Sequence, residues 1–82
     1  MDYEFELKTK IIDAIENGTF FAKCVTTVED GEGIYCIAGN VYEVIDLVTN
    51  EYGDDCYILE TEGDEDLQIK VSDLDFDFYF KE

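Results

Sequence analysis

From Gly18 onward the chain is cut into short β-prone runs by turn residues at roughly ten-residue intervals, a spacing that suits the strands of a small antiparallel sheet or barrel. The runs are Phe20 to Val28, Gly33 to Ala38, Val41 to Val48, Cys56 to Thr61 and Leu67 to Val71, with a last short one in which Phe76, Phe78 and Phe80 alternate with Asp77 and Tyr79. Between them lie Asp30-Gly31-Glu32-Gly33, Gly39-Asn40, the polar stretch Thr49 to Asp55, the acidic turn Glu62 to Asp66, and Ser72-Asp73-Leu74-Asp75, which reads as one helical turn or a loop. Alternation is cleanest in the fifth run, where Leu67, Ile69 and Val71 are expected inward and Gln68 and Lys70 outward.

Ahead of the strands, Tyr3, Leu7, Ile11, Ala14 and Ile15 recur at helical spacing and Asn17-Gly18 supplies a stop, because glycine tolerates the left-handed conformation a helix end requires. This predicts a helix from about Tyr3 to Glu16. The expected architecture is α+β: residues 1–18 as an N-terminal helix, packed on residues 19–82 as a five- or six-stranded antiparallel barrel, together one domain.

Twenty-two Asp and Glu face only five Lys, with no Arg or His, so 82 residues carry a net charge of −17. Acidic chains are often disordered for want of hydrophobic residues, but here 46% of residues are hydrophobic and 15% aromatic, which predicts a folded core. The field is uneven. Residues 1–50 hold ten acids and three Lys, net −7, whereas residues 51–82 hold twelve acids and two Lys, net −10. Direct binding of nucleic acid or an anionic membrane is disfavoured, since those ligands are held by cations, and a basic protein surface is the natural counterpart.

Acids occupy the N-terminal region where a signal peptide would carry basic residues, and no apolar run exceeds the five residues Ile34 to Ala38, so neither a secretion signal nor a membrane span is expected. Cys24, Cys36 and Cys56 are an odd set without paired spacing, read as buried free thiols in a reducing cytoplasm.

The segments from Ala22 to Asp46 and Cys56 to Val71 and the closing Asp75 to Phe80 resemble small SH3-like β-barrel proteins encoded by bacteriophages; the run Gly39-Asn40-Val41-Tyr42-Glu43-Val44 corresponds to their common turn into a strand. That resemblance implies a barrel fold and a phage setting, with the host cytoplasm as location, and carries over no functional residue. Several small, very acidic phage proteins occupy a basic site on a host protein, and in size and charge this chain is similar to them.

The acids themselves suggest how. If extended, Asp73, Asp75 and Asp77 place carboxylates on one face at intervals of about 6.6–6.8 Å, comparable with the advance of phosphates along a DNA strand. Asp54, Asp55, Glu62, Asp64, Glu65 and Asp66 would widen the row into a patch, with exposed Tyr52 or Tyr79 to stack on arginine. The competing reading is that aspartates merely fill the solvent side of strands whose other side is Phe. Solubility alone, however, asks for a net charge of only about 2–8 in magnitude for a small domain.

Other chemistries are poorly supplied. An EF-hand loop beginning at Asp73 would have Phe78 where glycine belongs, and no calcium motif is present; at most a weak cation site is expected near Asp64 to Asp66. Three separated Cys without His do not make a zinc site, and the absence of His, Arg and a phosphate-binding loop removes the usual catalytic sets. The expectation is therefore a non-enzymatic protein without cofactor or metal, a monomer or weak dimer. Its expected role is to mimic DNA and inhibit a host nucleic-acid-binding protein, first RNA polymerase, with a nucleoid protein or defence nuclease as alternatives. A separate alternative is a small adaptor whose charge serves solubility.

Overall fold

The computed structural model describes residues 3–31, 33–61 and 65–81. One helix, α1 (Tyr3–Asn17), precedes seven strands: β1 (Phe20–Cys24), β2 (Val28–Asp30), β3 (Gly33–Cys36), β4 (Val41–Thr49), β5 (Asp55–Leu59), β6 (Leu67–Lys70) and β7 (Phe76–Phe80). The α+β expectation holds. The main sheet has order β6-β5-β4-β1-β7, every neighbouring pair antiparallel, and β2-β3 forms a separate hairpin.

The helix ends as its sequence demands. Gly18 takes φ 71°, its N–H donates to the Ile15 carbonyl at 3.2 Å, and the Thr19 N–H reaches back to the Ala14 carbonyl at 2.8 Å. These are the two bonds of a Schellman motif, and they satisfy carbonyls that the helix itself leaves unpaired. Ala14 is buried, Ile11 and Ile15 pack at the margin of the core, and α1 lies against β4 and β1.

Two expectations about the strands are revised. The first run does not continue from Phe20 to Val28: it bends at Val25 and Thr26, whose N–H groups both turn to the Asp75 carbonyl, so β2 starts anew and pairs with β3. Val71 is not an inward strand residue. It lies in the turn after β6, 39% exposed, while Ile69 is buried and Leu67 half-buried as expected.

The sheet is sharply bent. Since all pairs are antiparallel, β6 and β7 run in the same sense, and only Val71 to Asp75 joins the end of one to the start of the other. Lys70 lies level with Cys56 and hence Val48, near the far end of β4, whereas Phe76 lies level with Cys24, next to the near end. Along a straight β4 that is about 26 Å at ~3.3 Å per residue. Six Cα steps span at most about 21 Å. β4 must therefore fold over, and its register shifts between Val44 and Asp46, where a bulge lets Tyr42 and Val44 before it and Leu47 after it face one interior. Strand pairing among the described residues leaves β6 and β7 as two edges and does not join them into a closed barrel.

Aromatic rings fill the concavity. Tyr57 on β5 meets Phe78 on β7 at 4.6 Å between centroids, although two strands lie between them in the sheet, and Phe20 meets Tyr57 at 5.4 Å and Phe80 at 5.1 Å. Tilted contacts of this kind add about 0.5–1.5 kcal/mol each beyond burial. Tyr42 is buried, its hydroxyl accepting the Ile37 N–H at 2.7 Å and tying the β3–β4 connection to the core. Cys24, Cys36 and Cys56 are buried free thiols.

Leu59 is fully buried, so Leu59→Ala should lower unfolding free energy by about 2–5 kcal/mol through lost transfer energy and a residual cavity, read from the midpoint of urea denaturation at constant slope. Burial, and secondarily the Asp55 carboxylate, push the Tyr57 phenol above its ordinary value of 10.0. Folded Tyr57 thus holds its proton more tightly than the unfolded chain does, so its contribution is intact below pH 10.0 and lost as pH rises through the higher folded value. Tyr57→Phe should flatten that alkaline fall in melting temperature; an unchanged slope would assign it to other groups.

Candidate partner-binding surface

Every described acidic side chain reaches solvent, as no polar or charged residue is buried among the described residues. Their placement follows the two connections flanking β5 and β6. Asn50 organises the first: its Oδ1 accepts the N–H groups of Tyr52 and Asp54, each at 2.9 Å, and Gly53 turns the chain with φ 85°. Tyr52 is thereby held out at 81% exposure beside Asp54. Asp55 opens β5, with its Oδ1 accepting the Thr49 hydroxyl at 3.3 Å and its Oδ2 3.6 Å from Lys8.

The second connection comes to the first. The Val71 N–H donates to the Asp55 carbonyl at 3.1 Å, the Asp73 N–H to the Lys70 carbonyl at 3.0 Å, and Lys70 Nζ lies 3.5 Å from Asp54 Oδ2. Asp73 then accepts the Asp75 N–H at 2.8 Å, an Asx turn, and the Asp75 carbonyl is bound by Val25 and Thr26 at the end of β1. These contacts link the segments that carry Asp54, Asp55, Asp73, Asp75 and Asp77 into one band of backbone that runs from the start of β5 to β7. Burial first, and the Asp75 carboxylate second, raise the Cys24 thiol above its ordinary 9.0.

The band is not the extended row that the sequence suggests. Of the three alternating aspartates only Asp77 lies in a strand, while Asp73 and Asp75 sit in the connection before it, so their spacing is that of a folded loop. Lys23 on β1 occupies the register position directly opposite Asp77 on β7. Glu65 and Asp66, both exposed, lie before β6 at the other end of the β5–β6 pair, about 17–20 Å from Asp55 along the strand at ~3.3 Å per residue. The Glu65 carbonyl accepts the Thr61 hydroxyl at 2.6 Å. Glu62 and Asp64 lie outside the described residues. Among the described residues no group of three Cys, Asp or Glu side chains is placed to hold a metal ion.

Tyr79 is 39% exposed, but its ring leans on Phe21 at 6.1 Å, and Phe21 in turn carries Lys81 Nζ at 5.4 Å. Tyr52 is thus the freer of the two expected aromatics. Composition and alternation also passed over three contributors. Leu74, between Asp73 and Asp75, is 91% exposed, and Val25 beside Asp75 is 50% exposed. Asn50 positions Tyr52 without any charge of its own, and its only trace in the sequence is an Asn three residues before Gly53. Glu43 and Glu60, joined through backbone at 3.1 Å, line a shallow open groove of about 240 Å³ with Val41, Tyr42 and Thr61.

No family model matches the chain, and no curated protein and no solved structure is significantly similar to it. Among the described residues no helix is long and apolar enough to cross a membrane.

Removal of the Asn50 acceptor should release the Tyr52 loop. Asn50→Ala is expected to cost about 0.5–1.5 kcal/mol and to speed amide exchange at Tyr52 and Asp54, whereas Asn50→Asp, which keeps an oxygen in place, should preserve most of the protection.

Proposed function

We propose that this chain is an acidic inhibitor that occupies a basic, nucleic-acid-binding surface of another protein and keeps DNA out. The observation that carries this reading is the linkage of the segments bearing Asp54, Asp55, Asp73, Asp75 and Asp77 by hydrogen bonds and an ion pair on a bent, aromatic-cored scaffold, with exposed Tyr52 beside Asp54. Charges fixed on loops that are themselves hydrogen-bonded to strands lose little freedom on binding, which favours affinity over a loose acidic tail. Long-range attraction to a cationic partner adds speed of association.

The resemblance of Gly39 to Val44 to phage SH3-like barrels supports a phage origin, and the bent sheet supports an SH3-like barrel as the underlying architecture. In that setting the partner is a host protein in the host cytoplasm, RNA polymerase first, and a nucleoid protein or defence nuclease on the same electrostatics. The mechanism is competition for lysines and arginines that would otherwise hold phosphates, without catalysis, cofactor or metal. Contacts distributed over folded loops replace a phosphate-like row: the mimicry is of charge more than of spacing.

An adaptor reading is favoured by one observation, the exposure of Leu74 and Val25 together at the band. There the apolar residues would bind and the acids would only keep the chain soluble.

Host RNA polymerase mixed with this protein should release labelled promoter DNA in a gel-shift assay, and raising salt from about 50 to 200 mM should weaken the inhibitor complex by roughly tenfold or more. Asp73→Asn, Asp75→Asn and Asp77→Asn together preserve the Asx-turn oxygen and should abolish displacement. Retained displacement by that triple variant, with loss in Leu74→Ser, would favour the adaptor.

A further inference from the structure

We propose that the outer edge of β7 accepts an extended, lysine- or arginine-bearing segment of the partner protein as an added strand. This rests on the reading above that the partner is basic, and it names the backbone that would receive it.

The direction of each β7 peptide follows from the bonds at its two ends. Lys81 donates to the Thr19 carbonyl at 2.7 Å and Val25 donates to the Asp75 carbonyl at 2.8 Å. With Phe20 opposite Phe80 and Cys24 opposite Phe76, these are the bonded pairs 19/81 and 25/75 of an antiparallel ladder. Bonded pairs alternate with unbonded ones, so Tyr79 and Asp77 also direct their N–H and C=O groups to β1. Phe76, Phe78 and Phe80 then direct theirs away from the sheet; Phe76 is buried, so Phe78 and Phe80 are the open part of this edge. No strand follows β7 in the sheet, and among the described residues no hydrogen bond reaches these three backbones from another element.

The two edges of the sheet are protected differently. β6 is four residues long and carries Lys70, whose charge and exposure discourage pairing. β7, Phe-Asp-Phe-Tyr-Phe, has no proline, lysine or bulge, and its pairing with β1 is regular over all five residues. Such an edge is a template for another strand. A second copy is a poor occupant, because it would bring two chains of −17 each side by side. A cationic segment meets the opposite situation. Its residues across from Asp77 and beyond Asp75 and Asp73 would find carboxylates, and those between would continue the apolar face of Phe76, Phe78 and Phe80.

The test uses a short capped peptide alternating lysine and valine, with aspartate in place of lysine as its control. On binding, amide exchange at Phe78 and Phe80 should slow about tenfold or more, with Gln68 and Lys70 unchanged, and the aspartate peptide should do nothing. The whole chain, made by chemical ligation at its native cysteines with an N-methyl group on Phe78, loses the outward N–H and keeps every side chain. It should melt as the parent does and bind the lysine peptide about tenfold or more weakly. Should that variant not fold, the exchange measurement on the unmodified chain decides. Absence of peptide binding, binding without protection at β7, full binding by the N-methylated chain, or β7 amides already protected in a sedimenting dimer would each overturn the assignment. Polymerase retained at full strength by the N-methylated chain would remove the edge from the interface and leave the inhibitor reading standing. Peptide capture at β7 with no effect on polymerase would do the reverse.

Discussion

The contact between Tyr57 and Phe78, 4.6 Å between rings on strands separated by two others, is the constraint on which the rest of the molecule depends. It exists only because β4 folds over at its bulge, and it is what makes the fold worth its electrostatic cost. A flat sheet of these strands would leave Phe20, Tyr57, Phe78 and Phe80 without a common interior. The chain's self-repulsion would then meet far less opposition from burial.

The bend also decides where charge goes. Once β4 turns, the end of β6 and the start of β7 come within reach of five residues, and those five include two of the aspartates in the band. Asp73 and Asp75 therefore lie in a folded connection for a topological reason: the connection is short, and aspartate side chains close tight turns by accepting backbone N–H groups. The Asp73 carboxylate holds the loop's shape through the Asp75 N–H, and Asp75 does so through its main-chain carbonyl. Lysine is arranged in the same economical way, with Lys8 on Asp55, Lys70 on Asp54, and Lys10 and Lys81 over aromatic rings. Exposed ion pairs of this kind contribute little to stability, so their effect is on geometry more than on energy.

Much of this is legible in the amino-acid order, and the exceptions have physical causes. Gly18 announces the helix end and the Phe76–Phe80 alternation announces β7, because both depend on neighbours in sequence. The exposure of Tyr52 follows likewise from the polar stretch around it. The break at Val25 and Thr26 is not legible, since it depends on the Asp75 carbonyl some fifty residues later. Nor is the bulge in β4, which shifts the alternation midway along an otherwise uniform run. At the candidate surface, counting acids locates the region, but an every-second-residue spacing means a straight row only if the backbone is extended. Leu74 escapes notice for the opposite reason: an isolated leucine reads as core until its surroundings are seen.

Confinement of all described acids to the exterior has a consequence for how ionic strength acts on this molecule. Counterions that gather around a folded, densely anionic surface relieve its internal repulsion, so salt should favour the compact state. The same ions compete with any cationic partner. Folding and recognition would thus respond to the ionic milieu with opposite signs, and the molecule would be most tightly held where it is least comfortable alone, with the partner completing the neutralisation that solvent otherwise provides.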